Sequence, residues 1–596
     1  MNILLTAINA KYIHSNLAVY SLRACAGEYR DAVELAEYTI NNQKDYILEE
    51  LYKRKPDVLC FSCYIWNIDY VTDIAREYKK LCPSVPIWVG GPEVSYEVEA
   101  FLRENPYIDG VMIGEGEDTF RELCGYYAHQ KRLIDIAGIA FRKKSADGKA
   151  GEIVFTSPRP IKNMSEIPFC YDTLDDFSNR IIYYESSRGC PFSCSYCLSS
   201  VDKTLRFRDT EIVKRELKFF IDQKVPQIKF VDRTFNCNHA HAMELWRFIK
   251  ANDNGVTNFH FEISADLLNQ EELELISDMR PGLIQLEIGV QSTNEVTIKE
   301  IHRTMKLERL KEVVKLIQSG NNIHEHLDLI AGLPYEDYDS FGRSFDEIYE
   351  LKPNQLQLGF LKVLKGSYMF EHAAEYGIVY HDKPPYEVMS TKWLSFDDVI
   401  KIKRVEEMLE VYYNSGQFEI TMKLMECIFD SAFEFFQELG DFYEANGYFG
   451  MSHSRIRRCE ILLEFLALYL HGCDSDDMAS VGLSGNAGDR DNTDFDENAQ
   501  IYKMIQESLI FDLYYRENCK SRPVWATDIG SFKHMTHAYC KNGKLSHVEP
   551  FHYIFPDKHT RKLDELPKYH KEPVWALFHY DMRDPLDHQA LVEYIE

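Results

Sequence analysis

The chain has 596 residues, of which 45% are hydrophobic and 27% are charged, and its formal net charge is −28 at pH 7. This length exceeds what one core supports, and the composition excludes disordered and fibrous proteins, so we expect about three or four globular domains. The negative charge, without any Lys/Arg-rich run, disfavours a nucleic-acid partner. The N-terminus does not read like a secretion signal and no apolar run approaches the roughly 20 residues of a membrane span, so we expect a cytoplasmic protein without a membrane span.

Residues 1–130 alternate short β-rich runs with amphipathic helical stretches. This alternation predicts a parallel, doubly wound α/β sheet that is covered by helices. Ligands of such sheets bind beyond the carboxyl ends of the strands. The segments predicted at those ends are Asn9 to Asn16, Ser62 to Asn67, Gly90 to Ser95 and Gly114 to Glu117.

The rest of the chain is predicted to form three further parts. Residues 131–175 are expected to contain a β-hairpin and a connector. Residues 176–390 contain six strand–helix units, which predict a partial (β/α)6 barrel with its chemistry at the carboxyl ends of the strands. Residues 391–596 are expected to be helical and then α+β, with helical patterns over 396–415, 422–439 and 458–472. Within them, the acidic segment 474–498 is predicted to be a mobile loop.

Three cysteines lie within eight residues, directly after the first predicted barrel strand: Cys190, Cys194 and Cys197. Gly189 and Pro191 make their loop tight. Three thiolates can hold a four-iron cluster and leave one iron free for another ligand. The alternatives are three incidental cysteines or a zinc knuckle, which needs a fourth ligand that no neighbouring Cys or His pair supplies.

The segment SSRGCPFSCSYC closely resembles the cysteine motif of radical S-adenosylmethionine (SAM) enzymes. The resemblance implies that Cys190, Cys194 and Cys197 bind the [4Fe-4S] cluster and are catalytic, because the cluster cleaves SAM to a 5'-deoxyadenosyl radical. It also implies that Tyr196, the aromatic residue before the third cysteine, lies beside the adenine of SAM.

Polar residues end several later strands of the predicted barrel. Glu262 in FHFEIS, Gln291 in EIGVQS and Asp328 in HLDLIAGLP match phrases of radical SAM enzymes that are similar to the oxygen-independent coproporphyrinogen dehydrogenases. The resemblance implies that these three residues contact SAM. The second strand departs from the family, because KFVDRTFN stands where a Gly-Gly-Glu phrase is usual, and we expect Asp232 to substitute in part.

The N-terminal phrases FSCYIWN, VGGPEVS and VMIGEGE resemble the cobalamin-binding domain that precedes the barrel in cobalamin-dependent radical SAM proteins. The glycines in these phrases would let the corrin ring approach the backbone. The resemblance implies cobalamin contacts from Ser62, Tyr64, Trp66, Gly90, Gly91, Gly114 and Glu115. The Asp-x-His-x-x-Gly motif that supplies a histidine to the lower face of cobalt is absent, so we predict that His14 does not bind cobalt.

The resemblance implies a cobalamin-dependent radical SAM enzyme, and we expect a methyltransferase that acts at an unactivated carbon. Two alternatives stay open: a radical rearrangement or cyclisation without methyl transfer, and a non-catalytic cobalamin or redox sensor. Methylthio transfer to tRNA is disfavoured, because neither an N-terminal cysteine-bearing domain nor a small C-terminal RNA-binding barrel is evident. The expected cofactors are a [4Fe-4S] cluster, SAM and cobalamin. The expected partners are a small-molecule or peptide substrate and an electron donor such as flavodoxin or ferredoxin.

Overall fold

The protein is represented by a computed structural model that describes residues 1–143, 151–471, 497–540, 545–556, 560, 562–563 and 565–595. The predicted mobile loop 474–498 lies outside the described residues, except for its last two residues, which belong to a helix. In the described part of the chain, no helix is both long enough and apolar enough to cross a membrane.

The first part of the chain forms one seven-stranded sheet. Its strands are β1 (Ile3–Asn9), β2 (Val33–Thr39), β3 (Val58–Ser62), β4 (Ile87–Gly90), β5 (Gly110–Met112), β6 (Ile139–Arg142) and β7 (Ile153–Phe155). The helices of this part are α1 (Leu17–Cys25), α2 (Lys44–Arg54), α3 (Ile68–Leu81), α4 (Val98–Glu104) and α5 (Glu117–Tyr127). The sheet order is β2-β1-β3-β4-β5-β6-β7; the first five are parallel, and β6 and β7 are antiparallel. The predicted doubly wound sheet is confirmed, and the hairpin of the connector extends it.

The order of the strands indicates where a ligand would bind to this sheet, namely at the carboxyl ends of the central strands. β1 and β3 are buried along their whole length, as expected for central strands that helices cover on both faces. Ala7 pairs with Ser62, and Ser62 pairs with Gly90, so the parallel strands end at the same level. Because the strand order reverses between β1 and β3, the loops that follow these strands flank a switch point, where ligands of doubly wound sheets bind.

The second part of the chain forms an open barrel with a short ladder at its entrance. Its strands are β8 (Ile182–Tyr184), β9 (Ser187–Arg188), β10 (Arg206–Phe207), β11 (Gln227–Phe230), β12 (Asn258–Ile263), β13 (Ile284–Gln291), β14 (His324–Ala331) and β15 (Gln355–Phe360). Its helices are α6 (Thr210–Asp222), α7 (His239–Ala251), α8 (Gln270–Ser277), α9 (Glu295–Glu300), α10 (Leu307–Ser319), α11 (Tyr338–Tyr349) and α12 (Tyr368–Glu371). Six parallel strands follow the order β15-β14-β13-β12-β11-β8, which confirms the partial barrel.

The two faces of the barrel sheet differ in polarity. Side chains alternate along each strand, and the apolar set, such as Phe259, Phe261 and Leu327, is fully buried in one core cluster. The opposite set is polar, and most of its members are partly exposed, although His260 and His326 are buried. Its members on the four central strands include Lys229, His260, Glu262, Glu287, His326 and Asp328. The interior of the barrel is therefore a polar chamber.

The last part of the chain is helical and then α+β, as predicted. Its helices are α13 (Phe396–Leu409), α14 (Glu419–Ile428), α15 (Ala432–Ala445), α16 (Arg455–His471), α17 (Glu497–Arg516) and α18 (Lys533–Tyr539). Its strands are the pair β16 (Val379–Tyr380) and β17 (Val388–Ser390), and the antiparallel sheet β18 (Ser546–Tyr553), β19 (Tyr569–Arg583) and β20 (Ala590–Ile595). The continuous helical pattern over 422–439 is two helices, because Phe429 is extended and Ser431 caps α15 by accepting the Glu434 amide hydrogen.

Candidate functional site

The cysteine loop leaves the first barrel strand through a tightly packed glycine. Gly189 has φ +92°, and a Cβ atom there would lie 2.5 Å from the carbonyl oxygen of Thr204. Only glycine fits both constraints. The Cys190 amide donates to the carbonyl of Asp202 at 3.2 Å, and β9 pairs with β10 beside it. The loop is thus fixed at the carboxyl end of the barrel.

The three thiols suit a cluster better than a single metal ion. Cys190 and Cys194 are each 8% exposed, and Cys197 is half-buried. Burial raises the pKa of Cys190, and Cys197 and Cys194 add to that effect, so the three are close neighbours. Three thiols leave a single zinc ion one protein ligand short, whereas a [4Fe-4S] cluster can take three thiolates and keep one iron free.

Arg303 contacts the cysteine loop, and sequence reasoning missed it. One guanidinium nitrogen donates to the Tyr196 hydroxyl at 3.1 Å and to the Cys194 sulfur at 3.8 Å. The other donates to the carbonyl of Gly289 on β13. Arg303 therefore ties the loop to the barrel and puts a positive charge beside the cluster ligands. No spacing in the sequence indicates this, because Arg303 simply follows α9.

Asp232 is hydrogen-bonded to the strand end that leads into the cysteine loop. Its side chain is fully buried, and it accepts hydrogen bonds from the Ser186 amide at 2.9 Å and from the hydroxyls of Ser186 and Ser187 at 2.6 and 2.5 Å. Burial raises its pKa to about 6 against these hydrogen bonds. Asp232 therefore positions that strand, and its contact with SAM stays a prediction.

The three predicted SAM contacts, Glu262, Gln291 and Asp328, lie on neighbouring strands of the barrel. Burial raises the pKa of Glu262 to about 7. Burial, with the neighbouring Glu287 and Glu262, also raises the pKa of Asp328 well above its usual range. The Gln291 Oε1 and Asp328 Oδ1 atoms are buried without a hydrogen-bond partner among the described residues. A ligand with N–H and O–H donors, such as SAM, fits these orphaned acceptors.

Gln291 is held in place by a strained backbone. Its φ is +77°, and the register of β13 against β14 shifts between Gly289 and Gln291. A Cβ atom on Gly289 would lie 2.5 Å from Gln291 Nε2, so the amide group lies directly over that glycine. A left-handed conformation costs a non-glycine residue roughly 1–2 kcal/mol, and such strain clusters at functional sites.

A cavity of about 800 Å³ lies between the first sheet and the barrel. One wall is formed by the strand-end loops of the sheet. That wall includes every residue that the sequence predicted for cobalamin: Ser62, Tyr64, Trp66, Gly90, Gly91, Gly114 and Glu115. The opposite wall comes from the first barrel strand and the cysteine loop, through Tyr183, Glu185, Arg188 and Gly189. The cavity therefore lies between the predicted cobalamin region and residues that flank the three cysteines.

Two of the predicted glycines serve different purposes. Gly114 has φ +75°, and a Cβ atom built on it meets nothing within 4 Å, so this position is open as predicted. Gly91 has φ +121°, and its Cβ atom would lie 2.4 Å from the carbonyl oxygen of Cys63. The glycine therefore lets the loop after β4 approach the end of β3, and its contact with cobalamin stays a prediction.

An aromatic pair forms part of the cavity wall. The rings of Tyr64 and Trp66 stack with centroids 4.5 Å apart and planes 6° apart, and Trp66 is 41% exposed. Asn67, which sequence reasoning missed as an individual residue, fixes the loop by donating to the carbonyls of Ile8 and Ser62 at 3.0 and 2.9 Å. The pair presents a flat apolar surface that can pack against a planar ligand.

His14 also lines the cavity, and its Nδ1 atom lies 2.7 Å from the Tyr183 hydroxyl. Burial raises the pKa of Tyr183 to about 12, so the phenol stays protonated and can donate to Nδ1. Burial and then Lys11 lower the pKa of His14, so its ring is neutral. In the tautomer in which Nδ1 accepts this hydrogen bond, Nε2 carries the proton and offers no lone pair to a metal. That His14 does not bind cobalt stays a prediction.

Arg188 joins the two walls of the cavity. Its guanidinium donates to Glu117 at the start of α5 at 2.8 Å and to Glu185 at 2.7 Å. Glu115 lines the cavity, but its carboxylate is engaged by Arg206 at 2.5 Å and by the Lys162 amide at 3.2 Å. Glu115 therefore contributes to the wall mainly as an anchor between the sheet and the barrel.

Comparison with known families agrees with this arrangement. Residues 3–124 match the family described as B12 binding domain, and residues 184–348 match the Radical SAM superfamily. The chain therefore combines a B12-binding domain with a radical SAM domain. The cofactors of these two domains are accordingly cobalamin, SAM and a [4Fe-4S] cluster. Residues 374–589 match a family described as protein of unknown function, DUF4080.

Individual relatives of this radical SAM protein cover different shares of the chain. The cobalamin-dependent radical SAM methyltransferase TokK of Streptomyces tokunonensis is 28% identical over 351 residues, which are 55% of this chain and 49% of the relative. The chain thus matches about half the length of that curated relative. The structure of the methyltransferase TsrM of Kitasatospora setae, with cobalamin and a [4Fe-4S] cluster bound, aligns with TM-score 0.52 and 17% identity over 65% of this chain and 82% of TsrM. The cobalamin-dependent SAM radical enzyme OxsB, with aqua-cobalamin and SAM bound, aligns with TM-score 0.54 and 15% identity over 86% of this chain and 80% of OxsB.

Proposed function

We propose that the protein is a methyltransferase that adds a methyl group to an unactivated carbon of a small-molecule or peptide substrate. The observation that carries this proposal is the single cavity between the strand-end loops of the first sheet and the cysteine loop. A methyl group can reach a substrate radical only if both cofactors face one reaction space. The methyltransferase activity in the name of the relative TokK supports the same reaction class.

Different residues of the chain would hold the two cofactors. When bound, the cluster supplies the electron that cleaves SAM, and cobalamin supplies the methyl group. Gln291 and Asp328 present buried, unsatisfied oxygen atoms that would orient SAM. The Tyr64–Trp66 pair would pack against the corrin, while His14 would keep its hydrogen bond to Tyr183 and would not bind cobalt. We expect a flavodoxin or ferredoxin to reduce the cluster.

The test is turnover of anaerobically reconstituted protein with a chemical reductant, SAM carrying a deuterated methyl group, and an extract of small molecules and peptides. We expect 5'-deoxyadenosine, S-adenosylhomocysteine and a deuterated product by mass spectrometry. Cys237→Ala, which removes a half-buried cysteine outside the cluster motif, is the matched control for Cys194→Ala.

Each result separates the proposal from its alternatives. Loss of all three products in Cys194→Ala but not in Cys237→Ala supports the proposal. Deoxyadenosine without S-adenosylhomocysteine or a deuterated product would favour a rearrangement or cyclisation. A reducible cluster that releases no deoxyadenosine would favour a sensor.

A further inference from the structure

Three possible metal ligands converge inside the barrel: Glu287 on β13, and His326 and Asp328 on β14. Their ligand atoms all lie within 4.8 Å of one another. Glu287 is the register partner of His326, and Asp328 lies two residues closer to the carboxyl end of β14. All three belong to the polar set of the chamber, which the fold leaves partly open to solvent. The cluster is separate from the cysteines of the iron–sulfur motif.

His326 and Asp328 each direct a buried, unpartnered ligand atom to the same point of the chamber. His326 Nε2 lies 3.1 Å from Asp328 Oδ1, and the His326 side chain is 10% exposed. Both atoms are buried, and neither has a hydrogen-bond partner among the described residues. A proton shared between these two atoms, or a cation bound by both of them, would satisfy both.

Neighbouring side chains fix the orientation of these ligands. His260 Nε2 and Lys229 Nζ each lie 2.9 Å from the Oε2 atom of Glu287, which leaves Oε1 for another partner. Gln357 reaches the ring of His326 from β15. Outer partners of this kind orient the ligands of metal sites in proteins.

We propose that Glu287, His326 and Asp328 bind a divalent cation of the first transition series. One imidazole and two carboxylates form a donor set that suits zinc, manganese or ferrous iron. Three protein ligands leave at least one position for water or for a polar group of the substrate. When Oδ1 of Asp328 binds the cation, the orphaned Oε1 atom of Gln291 remains available to SAM. The site does not depend on the proposed methyl transfer.

The test uses zinc as the probe and the full-length protein with its cluster reconstituted, so that the cysteines are occupied. Zinc affinity is measured by competition with a chromophoric chelator, and the ligands are read from zinc K-edge absorption. We expect one zinc ion with nitrogen and oxygen neighbours at about 2.0–2.2 Å and no sulfur at about 2.3 Å. Sulfur in the zinc shell would overturn the proposal, because the metal would then be on cysteines.

Variants of the chamber complete the test. His326→Ala and Glu287→Gln should each weaken zinc binding by roughly 100-fold, since the loss of even an outer partner costs about 10–100-fold. His324→Ala is the matched control, because it removes another histidine of the same strand and face, outside the three ligands. Unchanged SAM affinity in Glu287→Gln would show that the chamber is folded. Equal zinc affinity in all variants, or no zinc binding by the parent protein, would overturn the proposal and leave the chamber to a polar organic ligand.

Discussion

The two glycines of the cavity wall should respond differently to the same substitution. Gly91→Ala forces an alanine into a backbone region that only glycine adopts readily, at a cost of about 1–3 kcal/mol. Its methyl group, 2.4 Å from the Cys63 carbonyl oxygen, adds an overpacking cost of about 1–3 kcal/mol. The sum is roughly 2–6 kcal/mol, which corresponds to a fall of about 6–18 °C in the Tm of the first domain at about 3 °C per kcal/mol.

Gly114 supplies the matched comparison. Gly114→Ala costs about 1–2 kcal/mol for its positive φ but meets no neighbour, so its Tm should fall by only about 3–6 °C. Gly114→Trp should project a large ring into the cavity and abolish cobalamin retention while the cluster remains. Thermal unfolding followed by circular dichroism, and the visible spectrum after gel filtration with hydroxocobalamin, measure the two effects. If Gly91→Ala melts with the parent protein, or Gly114→Trp retains cobalamin, the reasoning from these glycines is refuted.

Four further predictions concern the cluster, cobalt and the C-terminal part. Cys190→Ala should abolish the brown chromophore and deoxyadenosine release, whereas iron content equal to that of the parent protein would contradict the cluster assignment. Arg303→Met should lower the reduction potential of the cluster, because it removes a positively charged donor that lies 3.8 Å from the Cys194 sulfur. A redox titration followed by electron paramagnetic resonance measures this potential, with Arg309→Met as the control. The electron paramagnetic resonance spectrum of cobalt(II) cobalamin in the protein should show no triplet splitting from a bound nitrogen, and His14→Ala should leave this spectrum unchanged. Triplet splitting that disappears in the variant would show a histidine ligand. Burial raises the pKa of Asp512 to about 7, above about 3.9 in the unfolded chain, so its contribution to stability is complete below about pH 4 and is lost as the pH rises towards about 7. The Tm of the parent protein relative to Asp512→Asn should therefore fall between about pH 4 and pH 7, and a constant difference would contradict it.

The architecture could be predicted because periodicity and strand order act locally. Runs such as that of β1 are mostly apolar and are buried throughout because helices cover both faces, and the six barrel strands are separated by amphipathic helices. The break between α14 and α15 was missed, because the apolar spacing continues across it. Ser431 followed by Glu434 is a capping signal that could have indicated the new helix start.

The site residues could be predicted only where they lie together in one short sequence motif. The cysteines, and the glycine-containing strand ends, lie in motifs whose spacing is visible in the sequence. Arg303 and Asp232 act through contacts with Cys194 and Ser186, which lie more than 40 residues away in the chain. Such contacts depend on the packing of separate strands, and no local pattern encodes them. The same reason explains Gly91, whose constraint comes from Cys63 on the neighbouring strand end.

The position of Arg188 has a consequence for how the two cofactors are loaded. This side chain stands immediately before Gly189 in the cysteine loop and is bonded to Glu117 on the sheet side of the cavity. A ligand that immobilises the sheet side also restricts the loop, so the entropy lost on ordering the loop is smaller when the cluster assembles. Thermodynamic linkage makes this coupling reciprocal. By whatever factor bound cobalamin raises the affinity of the protein for its cluster, the bound cluster should raise the affinity for cobalamin by the same factor. An Arg188→Met variant should bind each cofactor independently of the other.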